Sequence, residues 1–161
     1  MPKPPAPLRP MSWLVRTNLS GAIAAVLSSV VVAACSACEA HAPFAGVNAA
    51  SQWFWGRRAK RHTRPSWRYT AVGYLVHHFS SLLWAGVYEA WSLSRPARPR
   101  VLAARAAAVA TAACVVDYTI TPRRFRPGFE RHINRTSMAA VYVAFGVGLF
   151  AGAWARRRYA R

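Results

Sequence analysis

Acidic side chains are almost missing from this sequence. Its 161 residues hold four Asp and Glu against 22 Lys and Arg, a formal net charge of +18. Lysine is scarce as well: only Lys3 and Lys60 are present, and the other basic residues are arginines. Cysteine is limited to three residues, which excludes a disulfide-dense secreted scaffold. No Walker A loop, Gly-rich dinucleotide fingerprint, H-E-x-x-H or G-x-S-x-G motif occurs. Sustained period-2 alternation is missing too, which argues against strands.

What is present is apolar. Hydrophobic residues make up 54% of the chain, and the mean hydropathy is +0.11. That excludes a disordered basic tail, which would lack the apolar content. High apolar content beside high net charge is rare in a soluble enzyme. It arises when apolar runs and basic runs alternate. At this length the chain makes one domain. Abundant Ala, with Arg in place of Lys, points to a GC-rich bacterial genome.

Four runs are long enough to cross a bilayer, which takes roughly 20 apolar residues. They cover about residues 19–38, 70–91, 101–120 and 137–155. Lipid offers a bare backbone no hydrogen bonds, so each is expected to be a helix. The predicted fold is an all-α, integral membrane four-helix bundle. Residues 1–18 form a Pro-rich basic tail, 19–155 a single transmembrane domain, and 156–161 a basic C-terminal tail. Between the first two runs, Phe44 to Gly56 is apolar but too short to span. It reads as an interfacial or re-entrant helix followed by a basic stretch at the headgroups. Pro127-Gly128 marks a turn in the loop 121–136.

Charge and aromatic placement fit this topology. Arginines fill the links, and Trp13, Trp53, Trp55, Trp67, Tyr69, Trp91, Trp154 and Tyr159 cluster at the ends of the runs. With four spans both termini share a side, and each side then holds 11 Lys and Arg. The basic tail beside the first span favours an N-in, C-in arrangement in a bacterial inner membrane. The partner implied by the basic links is a bilayer with anionic headgroups, and no nucleic acid is expected.

Small residues recur every fourth position. Ala140, Ala144, Gly148 and Gly152 do so in the last run, and Gly21, Ala25, Ser29, Ala33 and Ala37 in the first. Such ladders let helix backbones approach closely. An exposed ladder on the fourth span would mate with a membrane-protein partner or a second copy.

Of the four acids, Glu39, Glu89 and Asp117 lie in or at the ends of spans, where ionisable groups face the bundle interior. His78, Ser81, Ala85 and Glu89 fall on one narrow helical stripe. With His77 and Asp117 they suggest a polar seam. Three uses compete. The seam can be structural, with imidazole on Asp117 and Glu89 on Arg16 or Arg156. It can hold a metal, with a cysteine as a further ligand. It can carry a proton or small solute. Glu130 and His132 lie in a loop on the same side as His77.

Cys35 and Cys38 form a C-x-x-C, with Cys114 in the third span. No βαβ pattern surrounds it, so a thioredoxin site is excluded. Glu39 follows the second Cys where covalent haem attachment needs a His. A thiolate metal site remains, against the plainer reading of small apolar residues in a small-residue helix. Val32-Ala33-Ala34-Cys35 also matches a lipobox, in which acylation at Cys35 would remove the first span. Asn18-Leu-Ser20 and Asn134-Arg-Thr136 are chance sequons.

Several stretches carry a resemblance. They are Pro43 to Gly56 (PFAGVNAASQWFWG), His77-His78 followed by Trp84 and Glu89, Asp117 to Glu130 (DYTITPRRFRPGFE), and Tyr142, Ala144, Phe145 and Gly148. In these, covering most of the chain after residue 40, the sequence resembles a family of small bacterial inner-membrane proteins with four predicted spans and no established activity. The resemblance implies topology and no mechanism. The family pattern has a histidine where Gln52 stands, which argues against a metal role for that loop here.

The first functional reading is therefore a non-enzymatic scaffold or helper. The alternative is a bundle that binds or conducts a metal, proton or small solute through His77, His78, Ser81, Glu89 and Asp117, with Glu39, Cys35, Cys38, Cys114 and Glu130 as accessories. An intramembrane enzyme comes third, and no cofactor is required.

Overall fold

The computed structural model describes residues 11–94 and 97–159. The Pro-rich stretch 1–10, Arg95, Arg161 and the side chains of Arg158 and Tyr159 lie outside the described residues. The chain forms helix α1 (Trp13–Ala40), two short helices α2 (Ala45–Ala50) and α3 (Gln52–Trp55), and then α4 (Val72–Ser94), α5 (Pro99–Val115) and α6 (Arg135–Tyr159). A π-helical turn, Trp67–Ala71, leads into α4, and another, Val116–Ile120, extends α5.

Local chemistry sets the ends of these helices. Ser12 caps α1 by accepting the Val15 N–H at 3.4 Å. At the other end His41 turns left-handed (φ 51°) and Ala42 N–H returns to the Ser36 carbonyl at 3.2 Å, after which Pro43 prevents continuation. Pro99 opens α5, where its missing N–H costs nothing. Asn134 caps α6 through Ser137 N–H at 2.9 Å, and Glu39 accepts the Asn134 N–H at 2.6 Å and the Ser137 hydroxyl. A carboxylate there meets the positive end of the helix dipole.

The four long helices form a ring in which α1 packs against α4 and α6, and α5 closes it against the same two. Neighbours run antiparallel. One end of the bundle gathers the start of α1, the turn between α4 and α5 and the end of α6, and is called the terminus end below. The other, the loop end, carries residues 41–71 and 121–134.

Helix α1 is the central element because both of its neighbours come unusually close. A Cβ on Gly148 would overlap the Ala24 backbone, and one on Gly152 would lie 2.6 Å from Ser20 Cα. A Cβ on Gly21 would lie 2.7 Å from the Leu82 side chain on α4. The Gly-x-x-x-Gly of the last helix is thus spent inside the molecule, on α1. Ala144 is half-buried and Ala140 is exposed, so no continuous small-residue face is left open on α6.

Two apolar clusters fill the interior. One, toward the terminus end, includes Ala24, Tyr88, Val109, Phe145 and Leu149. The other, toward the loop end, joins Val32, Phe129, Ile133 and Val141. The outer surface is apolar as well. Leu14, Val30, Leu75, Phe79, Leu83, Val87, Ile120, Val143 and Val147 are all exposed. So continuous an apolar surface is foreign to a water-soluble monomer and suits lipid.

Three helices are long and apolar enough to cross a membrane: Trp13–Ala40, Pro99–Ile120 and Arg135–Arg157. The expected run 70–91 becomes a 23-residue helix, long enough to span. It is not among the three, because His77, His78 and Glu89 dilute its apolar character. The expected single helix over Phe44–Gly56 is a second difference. It breaks at Ser51 into α2 and α3, and α2 packs against α1 and α4 with Ala45, Gly46, Asn48, Ala49 and Ala50 buried. Its small residues fit between helices better than they would lie on a lipid surface.

Candidate functional site

Polar groups gather at two places along the α1–α4 seam. The first is near the terminus end. Glu89 on α4 is fully buried and Arg156 on α6 is 8% exposed. Arg156 Nη2 donates to both carboxylate oxygens, at 2.6 and 2.7 Å. Ser20 on α1 donates to Glu89 Oε1 at 2.6 Å and accepts from Arg156 Nη1 at 2.8 Å. Arg156 Nη1 also reaches the Arg16 carbonyl at 3.4 Å. Arg156 Nη2, shared between the two oxygens, and the Ser20 hydroxyl together satisfy the buried carboxylate, as a charge in that position requires. The close α1–α6 approach at Gly152 is what brings Ser20 into the group.

The second place is a cavity of about 60 Å³ between the two apolar clusters. Each long helix contributes a polar side chain to it: Ser28 from α1, His77, Ser80 and Ser81 from α4, Asp117 from the extension of α5, and Tyr142 from α6. Trp53, Trp84, Phe125, Phe129 and Phe145 complete much of the wall. His77 Nε2 lies 2.8 Å from Ser28 Oγ, and Ser28 also donates to the Ala24 carbonyl at 2.7 Å. Tyr142 donates to Asp117 Oδ2 at 2.6 Å. Among the described residues, Asp117 Oδ1 and His77 Nδ1 have no hydrogen-bond partner.

The polar stripe on α4 differs from the expected one. Stepping back four residues at a time from Glu89 gives Ala85, Ser81 and then His77, and it is His77 that lines the cavity. His78 sits beside Tyr74 and Phe79, with ring centroids 5.7 and 6.4 Å away, and its buried Nδ1 has no partner among the described residues. The seam therefore does not gather its members. Glu89 and His77 are twelve residues apart on one helix, about 18 Å at 1.5 Å per residue.

The accessory residues disperse. Glu39 serves the start of α6. Glu130 pairs with Lys60 at 3.8 Å and accepts weakly from Tyr118 at 3.5 Å. Cys35 packs against the loop-end cluster, Cys38 is exposed and Cys114 is half-buried, all as free thiols. Among the described residues no three His, Cys, Asp or Glu side chains come together to hold a metal ion. Gln52 instead pins the loop, donating to the Arg126 carbonyl at 2.6 Å.

The loop end has an organiser that the sequence did not flag. Fully buried Asn48 donates to the carbonyls of His62 and Arg64, both at 2.9 Å, and accepts from Thr70 at 2.6 Å. His132 adds a clasp, with Nε2 3.0 Å from the Lys60 carbonyl. Burial, with the Arg131 and Lys60 charges, holds this imidazole below its ordinary value, against the Lys60 carbonyl and Glu130, which pull it up.

Comparison with protein-family models, with curated proteins and with solved structures finds no match to this chain. The resemblance noted in the sequence thus identifies no family. What stands is a small all-helical protein with three candidate membrane spans.

Proposed function

We propose that this chain is a non-enzymatic, four-span protein of a bacterial inner membrane that binds a small nitrogenous cation of the ammonium or methylammonium type in its central cavity. The observation that carries this reading is the convergence of polar side chains from all four long helices on one cavity. The wall favours a donor-bearing cation. It offers the Asp117 carboxylate, the His77 ring nitrogen, serine hydroxyls and several aromatic rings, the last of which attract ammonium groups by their quadrupole. A water needs about 10–15 Å³ of such volume, so there is room for only a few heavy atoms.

Binding is favoured over conduction. Toward the terminus end the interior is closed by Ala24, Ala85, Tyr88 and Leu149, each 0% exposed. A scaffold reading loses its anchor, since Gly148 and Gly152 of the small-residue ladder are occupied by α1. Helix α4 supports a fourth span through its outer face: Leu75, Phe79, Leu83 and Val87 face outward while His77, Ser81 and Glu89 turn inward. An N-in orientation follows the basic tail, and a cysteine replacing Arg58 in a cysteine-free background tests it. Labelling of intact cells by an impermeant maleimide is expected, and labelling only after lysis reverses the orientation.

The binding test is a thermal-shift titration of detergent-purified protein with methylammonium chloride, against potassium chloride at equal ionic strength. Saturable stabilisation by methylammonium that is lost in Asp117→Asn is expected. Equal responses to the two salts, or an unchanged response in Asp117→Asn, overturn the reading.

A further inference from the structure

We propose that the terminus end holds a second, separate site for a phosphate-type oxyanion, built by Arg16, Arg156, Arg157 and Ser92. It does not depend on what occupies the central cavity. These residues line a cavity of about 100 Å³, together with Glu89, Leu102 and Ala153. Three guanidiniums meet one carboxylate there. That carboxylate is already consumed, since both of its oxygens accept from Arg156 Nη2 and one also accepts from Ser20. Among the described residues two positive charges are left over there.

Their donors are under-used. Among the described residues the Arg16 guanidinium meets no acceptor, and its Nε is buried. Arg156 is more than nine-tenths buried, and its Nε has no partner either. Among the described residues Arg157 reaches only the Ala97 carbonyl. Leaving charged donors unmet in a poorly solvated place is costly, and a tetrahedral oxyanion would satisfy several at once. Arg156 is held in place by Glu89 and Ser20, so the central member of the site is pre-oriented. Excess guanidinium disfavours a metal cation at the same spot.

The position suits such a ligand. Trp13, Trp91 and Trp154 are part-exposed at this end, as residues at a headgroup layer are. The phosphodiester of an anionic lipid and free inorganic phosphate offer the same chemistry. Either would bring negative charge and several acceptor oxygens.

The test uses the full chain with Arg16→Gln and Arg157→Gln, which leave the Glu89–Arg156 pair intact. One arm titrates inorganic phosphate into detergent-purified protein and follows the thermal midpoint, with sodium chloride at matched ionic strength as control. The other arm transfers the protein from nanodiscs of phosphatidylglycerol or phosphatidylcholine to native mass spectrometry and counts retained lipids. A saturable phosphate response weakened about tenfold or more in each variant identifies a soluble oxyanion, that being the worth of one lost charge-assisted hydrogen bond. No phosphate response, with one phosphatidylglycerol retained by the wild type and lost from the variants, identifies a headgroup. Either result supports the site. If the variants do not fold, phenylglyoxal modification of wild-type Arg16 and Arg157, mapped by mass spectrometry, decides the matter. Protection by phosphate or phosphatidylglycerol is expected. The absence of any arginine-dependent response, or of any protection, overturns the proposal.

Discussion

Replacing Glu89 by Gln isolates the charge in the buried pair, because the two side chains share a shape. Gln keeps one carbonyl oxygen to accept from Arg156 or Ser20. Its amide nitrogen takes the place of the other oxygen and points a donor at a donor across 2.6–2.7 Å. The Arg156 guanidinium is left without its counter-charge at 8% exposure, keeping neutral acceptors alone: Ser20, the Arg16 carbonyl and at most the one amide oxygen of the new side chain. Removing one partner of a buried pair typically costs 3–5 kcal/mol. The surviving acceptors place this case at the lower end, about 3 kcal/mol. For a chain of this length that lowers the thermal midpoint by about 6–12 °C. The double variant Glu89→Gln/Arg156→Gln removes the stranded charge and is expected to recover much of the loss, a coupling of about 1–2 kcal/mol. Tryptophan fluorescence of the detergent-purified protein during heating provides the assay, since seven tryptophans report on the fold. A midpoint within about 1 °C of wild type for Glu89→Gln, or strictly additive single variants, would refute the assignment of this pair as the electrostatic lock between α4 and α6.

Other consequences follow from packing and from titration. Gly148→Leu and Gly152→Leu force α1 and α6 apart and are expected to destabilise by about 1–3 kcal/mol or more, whereas Gly146→Ala, whose Cβ would stand 3.3 Å from Ala110 Cβ, stays within about 1 kcal/mol; equal midpoints for all three would count against the close α1–α6 contact. The depressed His132 value has a definite sign. Its contribution is fully present above the unfolded value of 6.5 and is lost as pH falls through the lower folded value, because the unfolded chain takes up the proton first. Midpoints measured between about pH 7.5 and about pH 5 are therefore expected to fall less steeply in His132→Gln than in wild type, and parallel profiles would sink the idea.

The helix pattern was largely legible in the sequence, because long uncharged runs between arginine clusters leave few alternatives. The helices extend the expected runs by a few residues at most ends, where capping groups such as Ser12 and Asn134 decide the boundary. Pairings across the bundle were much less visible. Both Arg16 and Arg156 were open as partners for Glu89, and the choice rests on the rotation of α6 about α1, which is fixed by Gly148 and Gly152. Ser20 and Ser28 do not stand out in a first run rich in Ala, Val and Ser, yet their hydroxyls meet Glu89 and His77 across the seam. Tyr142 and Asp117 are 25 residues apart, with a loop between them, and nothing local announces their bond.

The proposed fourth span, α4, rests on one face of the helix and not on the segment average, which leaves it outside the three candidate spans. A lipid-facing helix in a bundle has two solvents, hydrocarbon outside and protein inside, and only its outer face must be apolar. On α4 that face is the row Leu75, Phe79, Leu83 and Val87, between 49% and 67% exposed. The residues that lower its mean hydropathy do not share that row. Glu89 is fully buried in an ion pair, Ser81 is 2% exposed, and His77 bonds Ser28. Moving a charge onto the outer row gives the direct contrast. Phe79→Arg sets a guanidinium against hydrocarbon near mid-helix, where insertion costs about 2.5–3.5 kcal/mol, whereas Ser94→Arg at the helix end can reach the headgroups. A glycosylation-mapped insertion assay of the full chain is expected to show reduced insertion of α4 for Phe79→Arg and little change for Ser94→Arg. Equal insertion of the two would mean that the outer row of α4 faces water, and the bundle would then have three spans.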